Sequence, residues 1–372
     1  MKRVQSLDMI RGFCIFLMVL GHLLDWWMGT DRWVVFYIFS IIASIAATGF
    51  LFISGFSAAI AYKSRAKKAE TSTDITMTQA RNIYIIRALL LLVIALIYNT
   101  VVALGLSLET NSNEMKWIWA WNVLQTISIS LLLAWPLLRT PKYLRIGLGI
   151  GLLIVNELLF PFLLSYIDQL NIFGVLFHLL YHPDEAFTIL AYFAIFIIGT
   201  VVGDFLFNIN SIKDQEERKK KIKQVFIRTI LIVGIILFSF GIIYRIDRID
   251  FISRPTLSAM FYSIGFVLIL LAILLYLEEF EKIKLKKRYR FFFYYSFYSF
   301  TIYIAHDPLY YIFFRQLNAL NIWLVIFVIF VLTTLLLKVL HKKVGLKASL
   351  KAQLGILSLT IANKIEQRKS RK

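Results

Sequence analysis

Apolar residues fill this chain in long blocks separated by short polar connections. The blocks run Gly12–Leu20, Val34–Tyr62, Ala88–Leu106, Ile127–Leu138, Ile146–Tyr166, Ile189–Phe207, Val225–Tyr244, Leu257–Tyr276, Phe291–Ile304 continued by Leu309–Phe314, and Ile322–Leu340. With their flanking residues most reach the roughly 20 residues that a bilayer-spanning helix needs. Hydrocarbon offers backbone N–H and C=O groups no partner, so such blocks must be helices. The pattern therefore predicts an all-α polytopic membrane protein with about ten transmembrane helices. No soluble domain interrupts it. Residues 1–343 form the membrane domain and 344–372 a tail. Over Gly345–Ala362 the tail alternates Leu and Ile with Lys, as an amphipathic interfacial helix would, and it ends in the basic run Lys364–Lys372. The connection Tyr166–Phe187 is the one long loop on its side of the membrane, aromatic and acidic rather than basic.

Composition agrees: 59% of the 372 residues are hydrophobic and mean hydropathy is +0.73, too apolar for a soluble interior to hide. The net charge of +19 would suit nucleic acid, but its placement argues against that. Lys and Arg gather in alternate connections, at Lys63–Lys68, Arg139–Arg145, Lys213–Lys223, Lys282–Arg290 and from Lys342 onward. The intervening connections carry few, among them Arg32, Lys116, Arg245, Arg248 and Arg254. This alternation follows the positive-inside rule and places both termini in the cytoplasm. The charge reports orientation and contact with anionic lipid, with no nucleic-acid partner expected. The first block shows no small-residue cleavage pattern and is expected to remain as the first helix. The single cysteine, Cys14, allows no intramolecular disulfide.

Chemistry concentrates on the first helix. Asp8, Arg11, Ile15, Met18, His22 and Asp25 are spaced 3, 4, 3, 4 and 3, which forms one stripe on a helix. Its polar members must face the bundle rather than lipid. Ser6 is expected to cap this helix. Asp8 and Arg11 suit an i,i+3 ion pair, whereas His22 lies deep within the span, where an ionisable group is costly and lines a polar cavity. An imidazole there suits proton transfer at neutral pH. A second pair, His306 and Asp307, precedes Pro308 in a stretch made polar by Ser299, Thr301 and Tyr303. Arg11 offers a permanently charged, bidentate anchor for phosphates. Ser54 and Gln125 are candidates for the lining of a cavity, although polar side chains within spans often do no more than bond neighbouring helices. In the long loop His178, His182, Asp184 and Glu185 suit hydroxyl recognition better than a metal, since Pro183 interrupts the helical spacing; no metal is expected. Trp26, Trp27, Trp33, Trp117, Trp119 and Trp121 are read as anchors at the outer boundary.

Five stretches, taken in order, resemble the transmembrane acyltransferases: SLDMIRGFCIFLMVLGH (Ser6–His22) with its Asp-x-x-Arg-Gly opening and Arg-x10-His spacing, FLFISGFSAAIAY (Phe50–Tyr62), WNVLQTISISLLL (Trp121–Leu133), AYFAIFIIGTVVGD (Ala191–Asp204) and YYSFYSFTIYIAHDPLYY (Tyr294–Tyr311). The nearest resemblance is to the heparan-α-glucosaminide N-acetyltransferase-like catalytic domain, and the acyltransferase-3 branch, which O-acetylates envelope polysaccharide, shares the first and last elements. The resemblance implies transfer of an acetyl or other acyl group from cytoplasmic acyl-CoA, acetyl-CoA above all, to an amino or hydroxyl group of a glycan or glycolipid across the membrane. The family's first-helix Arg and His fall on Arg11 and His22, and the residues themselves allow binding of the donor by Arg11 with Asp8, Ser54 and Gln125. Catalysis would fall to His22 or His306 with Asp25 and Asp307, and acceptor binding to His178, His182, Asp184, Glu185 and Trp26. In the lysosomal branch the catalytic histidine follows the first helix, yet Leu23–Tyr37 contains none. The identity of the base stays open between His22, His306 and the loop histidines. Expected partners are membrane lipid, the acyl-CoA donor and the glycan acceptor, with a homodimer left open. The expected location is a multi-pass place in the cytoplasmic (plasma) membrane if the source is prokaryotic. A proton-coupled transporter of a small polar solute, relaying through His22, His306, Asp8 and Glu157, is the competing reading; it needs paired discontinuous helices, for which the sequence shows no sign.

Overall fold

A computed structural model describes residues 4–30, 32–71, 76–110, 115–167, 169–181, 188–243, 256–280 and 290–370. Among these the chain is helical, with no strand beyond two isolated bridges. We number the α-helices α1 (Gln5–Trp27), α2 (Arg32–Thr71), α3 (Met77–Thr110), α4 (Val123–Leu137), α5 (Lys142–Leu164), α6 (Ile172–Leu180), α7 (Ile189–Asn210), α8 (Gln215–Lys221), α9 (Arg228–Ile243), α10 (Leu257–Glu279), α11 (Arg290–Phe297), α12 (Ser299–Ala305), α13 (Asn321–Lys343) and α14 (Leu350–Ser370). A π-helical turn, Ile222–Ile227, joins α8 to α9.

Eight segments among the described residues are long and apolar enough to cross a membrane: α1, Ser44–Thr71 of α2, Met77–Gly105 of α3, α5, α7, Gln215–Ile243, α10 and α13. They coincide with eight of the ten expected spans. The other two are built differently. Helix α4 has only 15 residues, about 22 Å against a hydrocarbon core of about 30 Å. The block at Phe291–Phe314 is a broken helix: α11 ends at Phe297, α12 begins at Ser299, and a 3-10 turn over Asp307–Tyr311 follows, with Pro308 in its first positions where its missing N–H is harmless.

The chain divides into two compact units. The first comprises residues 1–53, 209–252 and 258–353. Within it α1 packs along α11, with α12 and α13 also in contact. The core here is largely aliphatic and aromatic, including Ile15, Leu24, Trp27, Tyr295, Ile326 and Phe330. The start of α1 departs from expectation. Val4 occupies the cap position and offers no side-chain bond. The first amides are taken instead by Glu278 at the end of α10, which accepts from Gln5 N and Ser6 N at 2.8 Å each and from the Ser6 hydroxyl. A carboxylate at that end also suits the positive pole of the helix.

The break at Tyr298 is closed by the chain that follows α13. Lys351 Nζ donates to the Ser296 carbonyl at 3.3 Å and Ser349 Oγ to the Phe297 carbonyl at 2.9 Å. The Tyr298 hydroxyl donates to Gly345 O and the Thr301 hydroxyl to Ala348 O, both at 3.1 Å. A break in a span frees backbone groups that lipid cannot satisfy, and residues 345–351 supply the partners.

The second unit comprises residues 54–208, 253–257 and 354–372. Its core gathers Ala58, Tyr84, Trp121, Trp135, Phe196 and Ile197. Close helix approach is written in glycine: a Cβ on Gly55 would run into the Phe196 carbonyl, and one on Gly203 into that of Phe56, so α2 and α7 meet at backbone distance. Helix α6 is a nine-residue element whose first amides are capped by the Asn171 side chain.

Candidate active site

Four α1 candidates (Asp8, Arg11, His22 and Asp25), together with Trp26, His306 and Asp307, belong to the first unit. Two of its groupings matter. Near the start of α1, Asp8 is buried, 3.6 Å from Arg11 NH1, and accepts from the Ser296 hydroxyl at 3.2 Å. The expected i,i+3 pair is therefore present and is held by the broken helix.

The second grouping lies at the other end of α1. The rings of His22 and His306 stand 5.1 Å apart, centre to centre. Trp26 stacks on both, at 5.0 Å from His22 and 5.6 Å from His306, with 24° between planes in each case. His306 is 3% exposed. Its Nδ1 lies 2.6 Å from the Tyr303 carbonyl oxygen and 3.6 Å from the Asp307 carboxylate. A carbonyl oxygen only accepts, so Nδ1 carries the proton and Nε2 carries the lone pair in the neutral ring. Nε2 has no hydrogen-bond partner among the described residues. Asp25 lies half-buried one turn beyond His22.

Main-chain bonds clamp this end of α1 to the segment after α12. Arg315 N donates to Trp26 O, Leu317 N to Trp27 O and Gly29 N to Leu317 O, each at 2.9 Å. Trp27 Nε1 donates to Leu309 O at 2.8 Å. Gly29 must be glycine, because a Cβ there would meet the Arg315 carbonyl. Arg315 itself has φ of 51°, the left-handed region that a non-glycine residue occupies only under constraint. The relation of His22 and Trp26 to His306 is thus set by backbone, not by flexible side chains.

The remaining candidates belong to the second unit. Gln125 is fully buried in an amide cluster: its Oε1 accepts from Asn99 Nδ2 at 2.8 Å, its backbone N donates to Asn122 Oδ1 at 2.8 Å, and Asn122 Nδ2 donates to Asn99 Oδ1. Ser54 is partly buried on α2. His178 Nε2 bonds the Ile167 carbonyl at 2.9 Å, tying α6 to the end of α5. His182, Asp184 and Glu185 lie outside the described residues. Among those described, no cluster of His, Cys, Asp and Glu could hold a metal ion.

Several sequence readings change. Trp27 and Trp121 are not boundary anchors: both are buried, and Trp121 Nε1 donates to Leu179 O at 2.9 Å. Arg145 is not flanking charge. It is 2% exposed, its guanidinium pairs with Asp204, and NH1 donates to Thr200 Oγ1 at 3.0 Å. Glu157, a relay residue in the transporter reading, accepts from the backbone N of Leu257 at 2.8 Å. Sequence reasoning also passed over Asn99, Glu278 and the residues after Pro308. The acidic pair Glu278–Glu279 at the end of an apolar block, where basic residues usually gather, was the one available signal.

No curated protein matches the chain. A family model for acyltransferase-3, described as an acyltransferase domain, matches residues 4–342 and so takes in α1, the broken helix and both histidines of the cluster. With its multi-pass helical architecture and a match over nearly its whole length, the chain belongs to the acyltransferase-3 family of membrane acyltransferases.

Proposed function

We propose that the protein transfers an acyl group, acetyl in the simplest case, from an acyl-CoA to a hydroxyl group of a glycan or glycolipid, with His306 as the base. The observation that carries this reading is the buried His306 ring, whose Nδ1 proton is committed to Tyr303 O while Nε2 has no partner among the described residues. A base needs its lone pair uncommitted and its tautomer fixed, and this ring has both.

The acceptor hydroxyl gives its proton to His306 Nε2 as its oxygen attacks the thioester carbonyl carbon. An N–H of His22 donates to the carbonyl oxygen as negative charge gathers there. The tetrahedral intermediate collapses with cleavage of the C–S bond, and the departing CoA sulfur recovers the proton from Nε2. The products are an ester and free CoA thiol. Asp307, 3.6 Å from Nδ1, favours the imidazolium that exists between the two proton transfers. Arg11, steadied by Asp8, takes the CoA phosphates at the opposite end of α1. Eleven residues, about 16 Å of helix, separate it from His22, a span comparable with a pantetheine arm. With both termini in the cytoplasm, as the charge pattern indicates, Arg11 faces the donor and the histidines face the acceptor. Transfer to an amino group, as the resemblance to the heparan-α-glucosaminide N-acetyltransferase-like domain implies, would use the same base and yield an amide.

The test is calorimetry and thiol release on the purified protein with acetyl-CoA. Saturable binding is expected, weakened by Arg11→Ala and spared by His306→Gln. Slow hydrolysis of the thioester by water is expected in the wild type and lost in His306→Gln. No saturable binding removes the acyl-CoA donor from the reading, and undiminished hydrolysis in His306→Gln removes the base.

A further inference from the structure

The residues after Pro308 extend the histidine cluster outward. Trp26, already stacked on both imidazoles, meets Tyr310 edge-on at 5.6 Å. Tyr310 packs on Phe314 at 4.5 Å with 35° between planes, and the Arg315 guanidinium carbon lies 5.4 Å from the centre of the Phe314 ring. Tyr311, perpendicular to Tyr310 at 5.0 Å, is 70% exposed, and Phe314 is 36% exposed. Aromatic rings at a membrane boundary are ordinary as scattered anchors. These differ in forming one contiguous ladder that begins at a buried imidazole with an unpartnered nitrogen and ends at an exposed cation. They also sit on a segment bolted to α1 through Arg315 N, Leu317 N and Gly29 N, with strained backbone at Arg315.

We propose that residues 307–317 are the acceptor platform, and that Tyr310 and Phe314 take the face of a pyranose ring whose reacting hydroxyl then lies at His306. This rests on the reading of His306 as the base and deepens it by assigning the acceptor subsite. The chemistry fits a sugar. The C–H face of a pyranose is apolar and slightly positive and packs on the electron-rich face of an aromatic ring. The ring edge carries vicinal hydroxyls, which a forked guanidinium such as Arg315 engages through paired N–H donors and a carboxylate such as Asp307 engages as acceptor. The platform lies close to the chemistry because Trp26 touches Tyr310 and His306 at once.

The experiment is saturation-transfer NMR on the full chain in lipid nanodiscs, which carry no sugar-based detergent. The probes are methyl glucoside, methyl galactoside and methyl N-acetylglucosaminide, without donor. Transfer to the ring C–H protons of at least one glycoside is expected in the wild type. A fall of at least fivefold is expected in Tyr310→Ala and Phe314→Ala, with retention in Tyr310→Trp, which keeps an aromatic face and controls for misfolding. Absence of transfer to all three glycosides in the wild type overturns the proposal, as does an undiminished signal in both alanine variants. Either result leaves thioester hydrolysis by His306 untouched, so failure of the platform is separable from failure of the base.

Discussion

Each of the two units buries a polar cluster, and the two clusters differ in chemistry. In the second, polar side chains bond mainly one another: Asn99 with Asn122 and Gln125, Arg145 with Asp204 and Thr200, and Asn156 with Thr188 at 2.9 Å, with Gln125 Nε2, Arg145 Nε and Asp204 Oδ1 left over among the described residues. In the first, His306 is held by a main-chain carbonyl through one nitrogen, and its other nitrogen is left open beside a second imidazole and an indole. Burying a polar atom without a partner costs roughly 1–3 kcal/mol, so networks that close on themselves are what stability favours. An imidazole fixed at one end and open at the other is what proton transfer requires. Neither burial of polar residues nor a leftover atom by itself marks an active site; His306 stands apart because the atom left over among the described residues is the nitrogen of an imidazole fixed at its other end.

The largest expected effect tests the open imidazole. His306→Gln should lower acyl transfer by about 10²–10⁴-fold, the usual contribution of a positioned base, with little change in thermal unfolding in detergent. A variant that unfolds early yet turns over normally per folded molecule would move His306 into the structural class and dissolve the contrast. Next comes the ion-pair network of the second unit. Arg145→Met leaves Asp204 buried without its partner and should cost about 3–5 kcal/mol of stability, while Arg145→Met with Asp204→Leu should recover most of it. If the double variant is no better than the single one, the pair contributes more than mutual neutralisation.

A smaller effect sharpens the boundary. Among the described residues Gln125 Nε2 also has no partner, although its Oε1 and backbone N are engaged. Gln125→Leu removes an acceptor from Asn99 and should lower stability by about 1–3 kcal/mol with turnover per folded molecule unchanged. Lost turnover at normal stability would place Gln125 with the functional groups, as a residue lining the donor cavity. The smallest effect concerns the broken helix. Ser349→Ala removes one bond to the Phe297 carbonyl and should lower stability by about 1 kcal/mol. No shift in unfolding temperature would mean that water or lipid headgroups already serve that carbonyl.

Eight of the expected spans are helices of spanning length because their signal is local: a sustained apolar block has one solution in hydrocarbon. The other two blocks read alike in the sequence but differ in build. Nothing local to Tyr298 announces a break, since neither proline nor glycine is near; the break stands because Ser349 and Lys351, some fifty residues away, satisfy the carbonyls it releases. Charge was legible as a pattern and misleading at single positions. Arg145 sits in a basic connection and would pass for flanking charge, yet its partner Asp204 comes from another helix. The same holds for Trp27 and Trp121, whose indole N–H groups find carbonyls 282 and 58 residues away.

Of the candidate site, the stripe Asp8–Arg11–His22–Asp25 followed from helical spacing alone, and His306–Asp307 from the late polar stretch. Periodicity places residues on a face; it carries no distance between faces of different helices. Hydropathy and charge therefore fixed the membrane class, and the order of residues along α1 fixed what that helix could offer. Which histidine has its lone pair open, and that Trp26 bridges it to Tyr310 and Phe314, was decided by the backbone clamp between α1 and residues 315–317. That clamp joins positions nearly three hundred residues apart, and long-range pairing of this kind leaves no period in the sequence.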